Sequence, residues 1–181
     1  MTSPSSQSPP GNKPPKQVII FTDGACLGNP GPGGYGAVLI YGDHRKEISG
    51  GFRLTTNNRM EIMAAIAALR ALKTPCQVDL YSDSQYLVNA MMKSWVRRWR
   101  DQGWMRTKTA KAKNPDLWEQ LLRLCERHQV RFHWLRGHNG HNENERCDEL
   151  ANQAALASEL PPDKGYEAAQ GRWLPSSGLK K

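Results

Sequence analysis

The sequence predicts an α/β domain on a five-stranded mixed sheet, three antiparallel strands followed by two parallel ones, flanked by helices. Three observations carry this. The segments VIIFTDGACL, YGAVLIY and EISGGFRLT alternate and β-branch like strands and follow one another with short connections, which suits antiparallel neighbours. Two later strand-like segments, QVDLYSD and VRFHWLRG, are each preceded by a helical stretch, and a helical crossover delivers a parallel strand. Finally, the run MEIMAAIAALRAL at 60–72 has almost nothing polar on it, so its helix must be buried on every side.

The elements follow in the order βββαβαβα. The first helix starts near residue 58, capped by Thr56, Asn57 or Asn58. The fourth strand runs straight into a helix from Ser84. Asn114-Pro115 opens the next helix, with proline at its first position and Leu117, Trp118, Leu121, Leu122 and Cys125 as its apolar stripe. The last helix spans about 143–157, with Asn142 as cap, Glu145 at the capping-box position and Cys147, Leu150, Ala151 and Ala154 facing inward. Residues 1–16 are rich in Pro, Ser and Gly and read as a disordered tail; 159–181 repeat that character and read as a flexible C-terminal tail, with Tyr166, Trp173 and Leu174 as weak docking points. The globular part is 17–158.

A chain of 181 residues can bury a core without staples. Its four cysteines are widely spaced with no CxxC pair, which argues against a disulfide framework or zinc finger and for the reducing cytoplasm. No apolar run reaches the roughly 18 residues of a membrane helix. The net charge of +8 is local: residues 93–113 hold eight basic groups and one acid, while the rest nearly cancels. Such a patch suits a polyanionic partner.

Four acids stand out. Glu61 enters the apolar helix, where a carboxylate is costly unless paired, protonated or bound to metal. Asp23, in FTDG, and Asp83, in YSDS, end the first and fourth strands. Each has a plain alternative, as a turn aspartate or a helix cap. If those strands are parallel neighbours, both acids emerge at the edge where ligands bind in open α/β sheets. Asp148, beside Cys147, is by itself best read as a solvated helix residue. The glycines of GNPGPGGYG have neither GK[ST] nor a following helix, which excludes a phosphate cradle; they read as a tight turn open to close ligand approach. His138 in GHNGH is a poor zinc match and a better mobile proton carrier beside an acidic site. Trp95 and Trp99 face inward in the basic segment, while Arg97, Arg98 and Arg100 are available to phosphates.

The blocks FTDGACLGNPGPGGYGAVL, TTNNRMEIMAAIAAL, YSDSQY, the Trp/Arg/Lys segment and WLRGHNGHNENERCDELA, in this order, closely resemble bacterial type 1 ribonuclease H. The resemblance covers about 17–158. It implies the ribonuclease H-like fold and an endonuclease that hydrolyses the RNA strand of RNA–DNA hybrids by two-metal-ion catalysis, leaving 5′-phosphate and 3′-hydroxyl ends with little sequence specificity. The cofactor it implies is Mg²⁺, two ions in the substrate complex, with Mn²⁺ able to substitute. Its carboxylate set falls on Asp23, Glu61, Asp83 and Asp148, and its loop histidine on His138. The implied hybrid contacts fall on Cys26, Asn29, Thr56, Asn57, Asn58 and Gln85, and the basic protrusion, with Trp95, Trp99, Trp104 and the three arginines, on 93–113.

Hydrolysis of a phosphodiester needs an activated water and charge relief at the leaving 3′ oxygen, which two cations supply together. Asp23 is expected to bridge them, Asp148 to serve the ion with the attacking water, and Glu61 and Asp83 the other. A non-catalytic hybrid-binding module has no reason to keep all four acids, and a transposase or junction resolvase has none to carry the asparagine set or the basic lobe. No membrane contact, no obligatory protein partner and a monomer are expected.

Overall fold

The computed structural model of the protein describes residues 14–171. Three long strands, β1 (Lys16–Cys26), β2 (Gly31–Tyr41) and β3 (His44–Thr55), form the antiparallel meander. Helix α1 (Asn57–Arg70) crosses to β4 (Cys76–Ser82), then come α2 (Gln85–Met92), α3 (Trp95–Asp101) and α4 (Pro115–Arg127). Strand β5 (Gln129–Trp134), α5 (Asn142–Ala155) and α6 (Lys164–Ala169) complete the chain. The sheet order is β3-β2-β1-β4-β5, with β4 parallel to both β1 and β5. The predicted five-stranded mixed sheet is therefore the observed one.

Helices cover both faces. On one, Ile62, Ile66 and Leu69 of α1, Leu87 of α2 and Trp118 and Leu121 of α4 pack on Ile20, Val78 and Leu80. This is the main core, and α1 is buried nearly all round, as an apolar helix must be. On the other face α5 lays Cys147 and Leu150 over Val38, Phe21 and Ile40.

Several boundaries differ from the sequence reading. The glycine-rich segment read as a turn is mostly strand, because β2 begins at Gly31. A Cβ on Gly34 or Gly36 would collide with the α5 backbone at Ala151 or Cys147; these glycines serve helix-on-sheet contact. The helix expected from Ser84 is α2, and it ends at Met92; α3 follows after Ser94, which takes a left-handed backbone (φ 56°). Asn142 is the first residue of α5; His141 precedes it without a side-chain capping bond.

The largest correction concerns 159–171, read as a flexible tail. These residues fold back, with Arg53 N donating to Pro161 O and Arg53 pairing both guanidinium arms with Glu167. Asp163 is buried against Arg59 and Thr55 and caps α6 through Tyr166 N. Charge pairing, not an apolar stripe, holds the segment, and hydrophobic periodicity is blind to it. The remainder of that predicted tail, with Trp173 and Leu174, and nearly all of the predicted N-terminal tail lie outside the described residues.

Candidate active site

β1 and β4 run parallel with Thr22 opposite Ser82. The next residues are therefore neighbours where the β1–β4 pairing ends: Asp83 just past β4, and Asp23 still inside β1 opposite Gly36 of β2. Gly24 lets α1 approach, since a Cβ there would strike the backbone of Met60 and Glu61. That close crossing brings Glu61, near the N-terminal end of α1, to Asp23. One carboxylate oxygen from each of Asp23, Glu61 and Asp83 lies within 4.8 Å of the other two.

Asp148 stands beside this group rather than in it. It is half-buried on α5, and its Oδ1 accepts the Asn152 amide at 2.9 Å. Its charge nonetheless reaches Asp23 and raises that carboxyl's pKa. The structure thus gathers three of the four expected acids within 4.8 Å of one another and leaves Asp148 outside that group.

The electrostatics are those of a site awaiting cations. Burial first, then the Asp83 charge, push the Asp23 carboxyl well above the ordinary carboxylate range, against the Gly24 N–H that donates to Oδ1 at 2.8 Å. Glu61 is pushed up further, by burial and then by Asp23 and Asp83. Its Oε2 is buried without a hydrogen-bond partner. A native buried oxygen left bare calls for an explanation. Three converging carboxylates around it form the hard-oxygen donor set that a divalent cation takes, so the residues present fit a metal.

The loop between β5 and α5 closes one side. Gly137 lies against the Asp83 carboxylate, where a Cβ would collide, and Trp134 Nε1 donates to the Asp83 carbonyl at 3.1 Å. His138 follows directly, exposed and at a left-handed φ of 53°.

The expected hybrid contacts gather on the other side. Asn29 Oδ1 accepts from Asn57 N at 3.0 Å, tying the β1–β2 turn to the start of α1. Thr56 caps that helix by accepting from Arg59 N, and the Cys26 thiol reaches the Thr55 carbonyl at 3.5 Å. Gln85 is exposed at the start of α2. Asn29, Thr56 and Asn58 line one cleft of about 630 Å³ with Lys113, Asn114 and Tyr166. The end of the basic segment therefore meets the asparagine cluster. Within that segment Arg97 and Arg98 are exposed, while Arg100 is half-buried and pairs with Glu126 at 3.1 Å. Trp99 is buried in the main core, with Trp95 and Trp104 packed on it. A direct hybrid contact by Trp99, expected above, is corrected to a scaffold role: its ring faces the core.

Sequence reasoning passed over Arg59, Asp163, Asn144 and Asn152. Arg59 and Asp163 are buried and paired with each other; Asn144 and Asn152 donate to active-site carboxylates. For Arg59 the signal was its place at the head of an otherwise apolar helix.

Comparisons with known proteins agree with this geometry. The family model described as RNase H matches residues 15–156. A ribonuclease H of Syntrophus aciditrophicus is 63% identical over 169 residues, covering 91% of this chain and 98% of that protein. A ribonuclease H of Rippkaea orientalis is 60% identical over 156 residues, covering 86% and 96%. Among solved structures, LC9-RNase H1, a type 1 RNase H with the type 2 active-site motif, superposes with a TM-score of 0.73 at 31% identity, covering 94% of this chain and 93% of that one. LC11-RNase H1 in complex with RNA/DNA hybrid gives a TM-score of 0.59 at 28% identity, covering 76% and 96%.

Proposed function

The chain belongs to the ribonuclease H family, and from that premise we propose that it hydrolyses the RNA strand of RNA–DNA hybrids at the Asp23–Glu61–Asp83–Asp148 site. The observation that carries this reading is the convergence of three carboxylates around a bare, buried Glu61 oxygen. Two Mg²⁺ ions, or Mn²⁺ in their place, supply when bound an activated water and charge relief at the leaving 3′ oxygen.

The chain's own residues do the rest. Asp23 keeps one oxygen on the Gly24 N–H and turns the other to the site. Glu61 is held rigid by the core around α1, so little ordering remains to be done on binding. Asp83 is steadied by Trp134 and Gly137. Asp148 supplies the fourth carboxylate from α5. His138, on the exposed loop next to Asp83, carries a proton between the reacting water and solvent. Asn29, Asn57 and Gln85 read the 2′-hydroxyls that distinguish RNA from DNA. The 93–113 lobe grips the other strand by its phosphates, giving strong salt dependence and little sequence preference.

The protein acts as a monomer in the cytoplasm in this reading. Four unpaired cysteines suit a reducing compartment, and among the described residues no helix is long and apolar enough to cross a membrane. The test is incubation with Mg²⁺ and labelled RNA–DNA hybrid, double-stranded DNA, a DNA junction and double-stranded RNA. Cutting of the RNA in the hybrid alone is expected. Cleavage of the junction would turn the reading to a resolvase, and binding without cleavage to a hybrid-binding module.

A further inference from the structure

Asp148 does not stand alone on its helix. Asn144 lies one turn before it and Asn152 one turn after, so the three share a stripe of α5. Asn152 Nδ2 donates to Asp148 Oδ1 and also to its backbone carbonyl, each at 2.9 Å. Asn144 is 2% exposed and directs its Nδ2 at Asp83 Oδ2 across a long 3.5 Å. Its Oδ1 is buried and has no partner.

We propose that Asn144 and Asn152 are positioning residues that aim the Asp83 and Asp148 carboxylates at the metal ions, one amide bracketing each acid from α5. The inference rests on the reading of those acids as metal-holding groups. The chemistry favours asparagine here. An amide donor fixes one carboxylate oxygen in direction and leaves the other free, and being neutral it does not cancel the charge that attracts a cation. An arginine or lysine would do so, and among the described residues no ion pair reaches Asp23, Glu61, Asp83 or Asp148. The bare Asn144 Oδ1 adds an acceptor beside the site, suited to a water in a cation's shell.

The bond from Asn152 goes with the place of Asp148 outside the tight group of three. Asn152 holds the fourth carboxylate at a set distance and limits its collapse onto Asp23, where like charge would oppose it.

The test is calorimetric titration of Mg²⁺ alone into the substrate-free protein, with Mg²⁺ dependence of cleavage and the hybrid KM measured alongside. Asn152→Leu, which keeps the volume and removes the donor, is expected to weaken Mg²⁺ binding about 10-fold, with the hybrid KM held within roughly two-fold. Asn152→Gln, which keeps an amide, retains more of the affinity than leucine. Asn144→Ala is expected to act in the same direction; should it fail to fold, the half-exposed Asn152 carries the test. Asp83→Asn and Asp148→Asn are the references. If they weaken Mg²⁺ binding and neither asparagine variant does, the positioning inference is overturned and the ligand reading stands. If the aspartate variants bind Mg²⁺ unchanged, the ligand reading itself fails. Equal losses for leucine and glutamine at 152 would also overturn the bracket, since they would trace the effect to packing.

Discussion

Arg59 and Glu61 are two residues apart near the N-terminal end of α1 and similarly buried, at 3% and 5% exposure, yet they are treated in opposite ways. Arg59 is fully partnered: its guanidinium donates to Asp163 at 2.6 and 2.8 Å, to Asp116 at 2.6 and 2.8 Å and to Asn114 at 3.3 Å. Burial by itself would raise the Asp116 carboxyl, but the Arg59 hydrogen bonds outweigh it and hold it low. The charges facing Glu61, those of Asp23 and Asp83, are of its own sign; Asn57 alone eases it with a hydrogen bond, and Oε2 is left bare. A buried charge surrounded by opposite charge and hydrogen bonds is structural. One surrounded by its own sign is held there by the fold for something that arrives later.

The sharpest way to break this comparison is Asp23→Asn. Cleavage should fall to background in the hybrid assay while hybrid binding persists; retained turnover would remove the acid cluster from catalysis. Asp163→Ala attacks the opposite pole. It leaves Arg59 buried with half its partners, so stability should drop by about 3 kcal/mol, or roughly 6–12 °C in Tm. A smaller loss in calorimetry would mean that the C-terminal fold-back contributes little.

Asp23→Asn should also move stability the other way. In the metal-free fold Asp23 and Glu61 keep protons that the unfolded chain releases near its ordinary carboxylate values. Their contribution is therefore full below about pH 4 and is lost as pH rises through the raised folded values. Denaturant melts should show Asp23→Asn more stable than the parent by an amount of order 1 kcal/mol at neutral pH, shrinking toward acid and on adding Mg²⁺. A gap that stays constant with pH would deny the like-charge account. The smallest effect belongs to the exposed lobe. Replacing Arg97 and Arg98 by alanine should weaken hybrid binding and lower its salt slope by about one per lost phosphate contact. An unchanged slope would assign these side chains to solvent.

Much of the fold was legible because its signals are local. Alternation in the first three segments marked the meander, and the all-round apolar character of 60–72 marked a buried helix. Asp83 was readable as a strand-end acid; Asp23, read the same way, lies inside β1, which runs on to Cys26. What escaped depended on contacts distant in the chain. Gly34 and Gly36 read as part of a turn because the α5 backbone that requires them lies more than 100 residues away. The break at Ser94 is a single left-handed residue in a sequence with no glycine or proline there. The 159–171 segment looked unstructured because its anchor is an ion pair to Arg59, 104 residues upstream.

By itself, then, the sequence determined the kinds of element and their order, and singled out Asp23, Glu61 and Asp83 as candidates, since these follow from periodicity, turn chemistry and residue type; Asp148 joined them only through the family resemblance. Only the tertiary structure decided how those acids stand to one another. The parallel register of β1 and β4 and the close crossing at Gly24 force Asp23, Glu61 and Asp83 together. Asp148 lies outside that group, bonded to the Asn152 amide. Like charges gather only where the rest of the fold compels them, and that compulsion is spread over contacts no short stretch of sequence contains.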